Sequence, residues 1–220
     1  MNDFESLLLL GCGGHALVVA EAAQEAGFTI HGFLDDDPET KANAGSLGHA
    51  FLGSINDAAV VIETSSTPLG LHAAVGNNEL REAWMKAARS AGLKDRFLTI
   101  VHPRAIVSPS ANLGLGSFIG PNAVINARAR IGEGVIVNTS AVVEHDCVIG
   151  AYSHVAPNAT LGGGAQVGDS SLIGLGAIVL PRITIGQRVV VGAGAVVVGD
   201  LPDDVVAHGV PAKIAQTSHT

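Results

Sequence analysis

Charge is scarce in this sequence: of 220 residues only 15% are Asp, Glu, Lys or Arg, against about 25% in an average globular chain. Positive charge is scarcer still. Twelve Lys and Arg face twenty Asp and Glu, and the net charge of −8 argues against a nucleic-acid backbone as partner, because counterion release needs a basic face. Aromatics make up only 4%, so any core must be built from Val, Ile, Leu and Ala. Cys12 and Cys147 are the only two cysteines and sit in unlike contexts, which excludes a disulfide framework or a thiolate metal cluster. Long apolar runs are missing too. The longest, residues 189–199, is eleven residues between Arg188 and Asp200, short of the roughly 18 that span a bilayer, so no membrane insertion is expected despite a mean hydropathy of +0.39. Asp3 and Glu5 stand where a signal peptide carries positive charge, and the run 7–10 is too short for its apolar core. A soluble, cytoplasmic chain is the expectation. The hydrophobic share of 47% excludes disorder.

What the chain has in excess is glycine, 28 residues, and a period. From Val101 to Val197 every sixth residue is Val, Ile or Leu, seventeen of seventeen. If those types filled a third of positions at random, the odds would be on the order of one in a hundred million. The second position of the hexad is Gly in nine of seventeen, and the fifth is Ala, Ser or Cys in thirteen. Each hexad reads as a short strand plus a corner: the aliphatic residue points inward, a small residue fits the bend, and glycine supplies backbone conformations that a Cβ forbids. Three hexads close a triangular coil of about eighteen residues, and stacked coils pair strand over strand ~4.8 Å apart. The 102 residues then build a prism on the order of 27 Å tall. No coil buries its own core, so stacking is obligatory. The pattern resembles the left-handed parallel β-helix of hexapeptide-repeat proteins; the handedness comes from that likeness.

The first hundred residues read differently. Residues 7–10 form a buried strand, followed by Gly11-Cys12-Gly13-Gly14-His15 and a helix over 16–26. Residues 28–34 form a second strand ending at the turn Asp35-Asp36-Asp37-Pro38. Strands are expected at 58–62 and 71–75, and a helix at 79–91 capped by Asn77 or Asn78. Strands alternating with helices imply a small parallel sheet, a Rossmann-like half. The expected domains are an α/β unit at 1–100, a β-helix at 101–202 and a tail at 203–220.

Gly11-x-Gly13-x-x-Ala16 between strand and helix, with acids at 35 and 36, fits a dinucleotide fingerprint, because the glycines let amides at a helix N-terminus face an anion. NAD, a nucleotide sugar and a structural turn all remain open, although one half-sheet is small for a dinucleotide. Asp35 and Asp36 end a strand where α/β sheets bind ligands; a solvated turn explains them equally. His15 could donate to a diphosphate or simply begin the helix. Glu144-His145-Asp146 occupies hexad positions two to four and interrupts an apolar, glycine-rich stretch. It is either a solvated corner or a histidine whose cationic form the flanking carboxylates favour, the arrangement a general base needs. His154, nine residues on, is half a coil away, so a site using both would span two neighbouring prisms.

Taken together, the glycine loop at 11–15, Phe33-Leu34-Asp35-Asp36, Val75-Gly76-Asn77-Asn78-Glu79, Asn138-Thr139-Ser140, Glu144-His145-Asp146, Ser153-His154 and Gly209-Val210-Pro211-Ala212-Lys213 resemble the sugar O-/N-acyltransferases, of the sialic acid O-acetyltransferase and bacillosamine-pathway N-acetyltransferase type. The likeness covers nearly the whole chain. It implies an acetyl-CoA-dependent transferase in which His145 is the general base, Asp146 orients it, and the backbone N–H of His154 holds the acetyl carbonyl. It implies a pantetheine groove past Gly163, Leu175 and Ala193, and a nucleotide sugar, UDP-linked by that resemblance, at Gly14, His15, Asp35, Asp36 and Gly76. The expected acceptor is the 4-amino group of a 4-amino-4,6-dideoxy sugar, and the expected assembly a homotrimer. The alternatives are O-acetylation of a sialic-acid-type sugar and a non-catalytic nucleotide-sugar scaffold. Some hexapeptide-repeat proteins resemble γ-class carbonic anhydrases, whose zinc takes two histidines five apart and a third upstream. His102, His145, His154 and His208 contain no such pair, and no metal is expected. Cys147 falls at an inward small position and reads as core.

Overall fold

The tetrad 7–10 becomes the middle of a parallel sheet. In the computed structural model, which describes residues 4–217, β1 (Ser6–Leu10), β2 (Thr29–Leu34), β3 (Phe51–Gly53) and β4 (Leu69–Ala73) lie in the order β3-β2-β1-β4. The extreme ends of the expected α/β domain and tail, 1–3 and 218–220, lie outside the described residues. Leu7, Leu8, Leu9 and Leu10 are all 0% exposed: β1 bonds to β2 on one side and β4 on the other, and a parallel strand covered on both faces is apolar at every position. Helices α1 (Gly14–Glu25), α2 (Lys41–Ser46), α3 (Ala58–Thr64) and α4 (Asn78–Ser90) complete this part. The chain divides into two compact units, 1–103 and 104–220.

The expected strand at 58–62 is instead α3. Its β-branched run Val60, Val61, Ile62 suggests a strand, but a capping box decides the matter: Ser54 N–H donates to Asp57 Oδ2 at 2.8 Å, nucleating a turn that runs into the helix. Ala58 and Ile62, four apart, are buried while Val60 is 60% exposed, which is a helical face rather than a period of two. The sequence also passed over α2 and β3, six and three residues long, too short for a clear period. Of the two candidate caps for α4, Asn77 holds the position and its side chain accepts from Leu80 N–H.

His72, on β4, is buried with Nδ1 bonded to the Leu98 carbonyl at 2.9 Å. Burial drives its pKa down from 6.5 to about 4, with Arg81 adding to the shift and the Leu98 carbonyl opposing it. Because the folded value lies below the unfolded one, the unfolded chain binds the extra proton. Stability is therefore complete above pH 6.5 and declines as pH falls towards 4, by about 3 kcal/mol in all for a shift of this size. His72→Asn, which can still donate to Leu98 but cannot titrate in this range, is expected to flatten that slope. Denaturant unfolding at pH 7 and pH 4.5 checks it: the wild type should lose clearly more stability between the two than the variant.

In the second unit each hexad contributes a two-residue strand, and every strand pairs in parallel with the one eighteen residues away, as Val142–Val143 does with Val124–Ile125 and Thr160–Leu161. The result is a left-handed parallel β-helix with three faces. The first stacks strands from Ile106–Val107 to Val196–Val197, the second from Asn112–Leu113 to Thr184–Ile185, and the third from Phe118–Ile119 to Val190–Val191. The segment expected as a tail continues this third face: Val205–His208 adds a parallel strand and Lys213–Thr217 folds back antiparallel on it. The pattern persists in space after the hexad is lost from the sequence.

Glycine's role in the hexad differs from the sequence reading. The left-handed backbone falls at position four, where Asn122, Asp146 and Asn158 carry it as well as Gly164. Position two is glycine because the next coil passes too close. A Cβ on Gly168 would sit 2.6 Å from Gln187 N. At position five, side chains small enough for the bend can also bond upward: Ser153 Oγ donates to Gly168 O at 2.8 Å and Cys147 Sγ to Gly162 O at 3.2 Å. Burial pushes the Cys147 thiol up, as befits a core residue rather than a nucleophile.

Candidate functional site

The chain runs from β1 outward through β2 to β3 and then returns to place β4 on the other side of β1. The crevice at the carboxyl ends of β1 and β4 is thus a topological switch point, where open α/β sheets bind ligands. The glycine loop leaves β1 there. Gly11, at φ +109°, lets its Cα pass the Ala74 carbonyl, which a Cβ would approach to 2.9 Å. Gly13 is the N-cap of α1 and no side chain caps that helix end, so its first-turn amides suit an anion. Gly14 is exposed and His15 half-buried. A Cβ on Gly76, beyond β4, would lie 4.0 Å from the His15 Cβ, so the structure brings these two sequence candidates together.

Asp35 and Asp36 lie at the same end of the sheet, but Asp35 is not an open acceptor. Its Oδ2 takes the Cys12 N–H at 2.6 Å and its Oδ1 the Asp37 N–H at 2.9 Å. It ties the glycine loop to the end of β2. Asp36 Oδ1 accepts Ile55 N–H at 3.1 Å, and its carboxylate is the more exposed of the two. Asp35→Ala is expected to loosen the loop, weakening binding of a nucleotide at least tenfold while leaving turnover at saturation within about threefold; isothermal titration beside steady-state kinetics separates the two effects.

In the second unit, Glu144, His145 and Asp146 form one corner of a coil. Val143 and Cys147, on either side, are fully buried, and His145 and Asp146 project outward. His145 Nδ1 lies 2.7 Å from Asp146 Oδ2. A carboxylate can only accept, so Nδ1 carries the proton and Nε2 presents a lone pair. The His145 N–H donates to Glu144 Oε2 at 3.2 Å. One coil on, Gly163 stands beside the ring: a Cβ there would fall 2.6 Å from Nε2. The two coils are locked by Gly164 N–H donating to the His145 carbonyl at 2.8 Å.

Sequence reasoning missed Arg128. It sits one coil before Asp146 at the same hexad position and grips its carboxylate with both arms, Nε to Oδ1 at 2.7 Å and Nη2 to Oδ2 at 2.8 Å. The Arg128 guanidinium first, and His145 second, hold the Asp146 carboxyl far below the usual carboxylate range. The signal was available: 128 and 146 differ by one eighteen-residue coil.

His154 requires a correction. Its backbone N–H donates to the Ser171 carbonyl at 2.8 Å within the ladder, so it is not turned towards an acetyl group. Its ring Nε2 instead takes the Asn138 carboxamide N–H at 3.0 Å, with the amide's orientation fixed by Thr139 N–H on Asn138 Oδ1. The remaining sequence candidates share one property. Gly163, Leu175 and Ala193 all occupy hexad position three, and among the described residues their N–H groups donate no hydrogen bond. Leu175 and Ala193 stack on one edge, joined by Gly194 N–H to the Leu175 carbonyl, and Leu175 is 61% exposed. Among the described residues no group of three or more His, Cys, Asp or Glu is placed to hold a metal, and no helix is long and apolar enough to cross a membrane.

Residues 6–88 match the family described as PglD N-terminal domain, and 128–163 the bacterial transferase hexapeptide (six repeats). Among solved structures, a histidine variant of perosamine N-acetyltransferase from Caulobacter crescentus in complex with CoA and GDP-perosamine is 40% identical, with TM-score 0.89, covering 96% of this chain and 97% of that one. The acetyltransferase domain of PglB from Neisseria gonorrhoeae, in complex with acetyl coenzyme A, is 38% identical with TM-score 0.86, covering 96% and 100%. A UDP-N-acetylbacillosamine N-acetyltransferase of Bacillus subtilis is 38% identical over 117 residues, 52% of this chain and 51% of the relative. An uncharacterized protein of Acanthamoeba polyphaga mimivirus is 33% identical over 125 residues, 57% and 23%. The matched stretch thus spans about half, or less, of these two curated relatives.

Proposed function

The chain belongs to the hexapeptide-repeat sugar N-acetyltransferases, and on that premise we propose that it transfers the acetyl group of acetyl-CoA to the 4-amino group of a nucleotide-linked 4-amino-4,6-dideoxy sugar, in the cytoplasm and as a homotrimer. The observation that carries this reading is the His145 corner: a histidine with Nδ1–H held by Asp146 and Nε2 directed beside Gly163. His145 Nε2 takes the proton of the attacking amine as the new C–N bond forms. The C–S bond of the thioester breaks, and the departing thiolate takes up the proton that His145 removed from the amine. A thioester is already activated, so a positioned base and one oxyanion donor suffice. In place of the His154 amide, the donor we assign is Gly163 N–H, which is unengaged and adjacent to Nε2.

The acetyl-CoA edge fits its substrate. The position-three amides of Leu175 and Ala193 donate to no group among the described residues and suit the amide carbonyls of a pantetheine arm, while the exposed Leu175 side chain suits its methylenes. Gly14, His15 and Gly76 at the switch point would hold the nucleotide sugar, with Asp36 as the available carboxylate and Asp35 as the brace. UDP is the nucleotide we assign, supported by the name of the Bacillus relative; GDP is the second reading, favoured by the Caulobacter complex.

The homotrimer is supported by the unequal faces of the prism. Outward residues of the first face are Ile106, Val124, Val142, Thr160, Ile178 and Val196, while the second offers Asn112, Arg130, Val148, Gln166 and Thr184. With Ile106 66% and Ile178 43% exposed, the first face is an apolar sheet surface that a second copy would cover.

The test is thiol release from acetyl-CoA against UDP-, dTDP- and GDP-linked 4-amino sugars, with CMP-sialic acid and free sialic acid alongside. Release with one amino sugar supports N-acetylation and identifies the nucleotide. Release with a sialic acid alone moves the activity to O-acetylation, and silence across all acceptors with acetyl-CoA still bound favours a scaffold.

A further inference from the structure

The Arg128–Asp146 pair has a twin in the same β-helix. Arg188 and Asp204 lie one coil apart at another corner and form the same two-armed bond, Nε to Oδ1 at 2.5 Å and Nη2 to Oδ2 at 2.7 Å. All four residues adopt the left-handed backbone, with φ between 52° and 61°. The twin braces successive coils. At the Arg128 corner one thing is added: Asp146 Oδ2 accepts both Arg128 Nη2 and His145 Nδ1.

We propose that Arg128 is a positioning residue for the base, clamping the Asp146 carboxylate so that Oδ2 faces Nδ1 of His145 and balancing its charge. The inference rests on the reading of His145 as the base. The geometry supports it in two ways. A single exposed carboxylate beside a histidine on its own chain can rotate about χ2 and exchange its oxygens; the guanidinium fork removes that freedom, because both oxygens are engaged in its plane. The ring is then fixed as the Nδ1–H tautomer, with Nε2 beside Gly163. Charge follows the same logic. The charged groups on the coils around His145 are Asp146, paired to Arg128; Glu144, whose Oε2 takes the His145 N–H; and, one coil beyond Gly163, Arg182, whose N–H donates to the Gly163 carbonyl at 3.0 Å. Removing the Arg128 cation would leave two carboxylates beside the ring without their paired charge, and so would stabilise the protonated ring.

Arg128→Gln is expected to lower kcat about tenfold or more, to move the acid limb of the kcat/KM profile up by about half a pH unit or more, and to leave KM for both substrates within about threefold. Arg128→Lys, which keeps the charge but not the fork, should restore the limb's position while recovering only part of kcat. Arg188→Gln supplies the purely structural control and should leave the profile in place. Imidazole ¹⁵N spectra of histidine-labelled protein report the His145 tautomer without any turnover. The expected result is a loss of Nδ1–H population in Arg128→Gln and none in Arg188→Gln. If the two glutamine variants behave alike in both profile and spectrum, Arg128 is a brace only and the inference is overturned. Should the wild type acetylate no acceptor, the function reading fails, yet the tautomer comparison still decides the role of Arg128. Should Arg128→Gln not fold, Arg128→Lys carries the comparison, and an unchanged profile, rate and tautomer there overturns the inference.

Discussion

His145→Ala is expected to lower kcat by about 10²–10⁴-fold, the range over which a positioned general base acts, with the fold and acetyl-CoA binding intact. The side chain is exposed and projects from a corner, so its removal opens no cavity and breaks no ladder bond; its backbone N–H and carbonyl keep their partners at Glu144 and Gly164. The loss is therefore chemical. Thermal unfolding and acetyl-CoA titration should match the wild type, and only the rate should fall. Turnover within threefold of the wild type would remove His145 from the mechanism.

Gly163→Ala should have the second largest effect, through crowding rather than deletion. Its backbone φ lies outside the left-handed region, so alanine is conformationally acceptable, but the new methyl would sit 2.6 Å from His145 Nε2 and 2.8 Å from Cε1. The ring must swing away, against its 2.7 Å bond to Asp146. A displacement on the order of 1 Å at the reacting atoms is worth about 10²-fold in rate, and we expect a 10- to 100-fold loss in kcat with little change in stability. Gly199 provides the control. It occupies the same hexad position in the same column, two coils on, and a Cβ there meets nothing within 4 Å. Gly199→Ala should retain a rate within twofold. Equal losses in both variants would mean that any methyl on this edge obstructs substrate, and that the His145–Gly163 contact has no special part.

The β-helix was legible because its physics repeats: each coil must bury an aliphatic residue at the same place, so seventeen hexads restate one constraint. The α/β unit offers each signal once. The run Val60-Val61-Ile62 misled because β-branched residues favour strands, and only the capping box Ser54–Asp57 overrode that preference. Phe51–Gly53 and Lys41–Ser46 are too short to show a period. Within the site, His145 and Asp146 were legible as polar interruptions of the repeat, whereas Gly163 entered only through the family resemblance. The error at His154 was legible too. It holds position six, the strand position shared with Phe118 and Ile136, whose N–H groups all enter the ladder; the amides outside the ladder belong to position three. Arg128 was missed because its meaning is vertical, a residue one coil below its partner, whereas motifs are read along the chain.

The most direct test of the central claim uses acetyl-CoA labelled in the carbonyl with ¹³C, the wild-type protein and the nucleotide-linked 4-amino sugar that releases thiol fastest. Proton–carbon correlation spectra of the product locate the label. The account predicts an acetamide on the C4 nitrogen, formed at a rate that falls at least a hundredfold in His145→Ala. Label in an acetate ester, or an amide formed equally fast without His145, would contradict it.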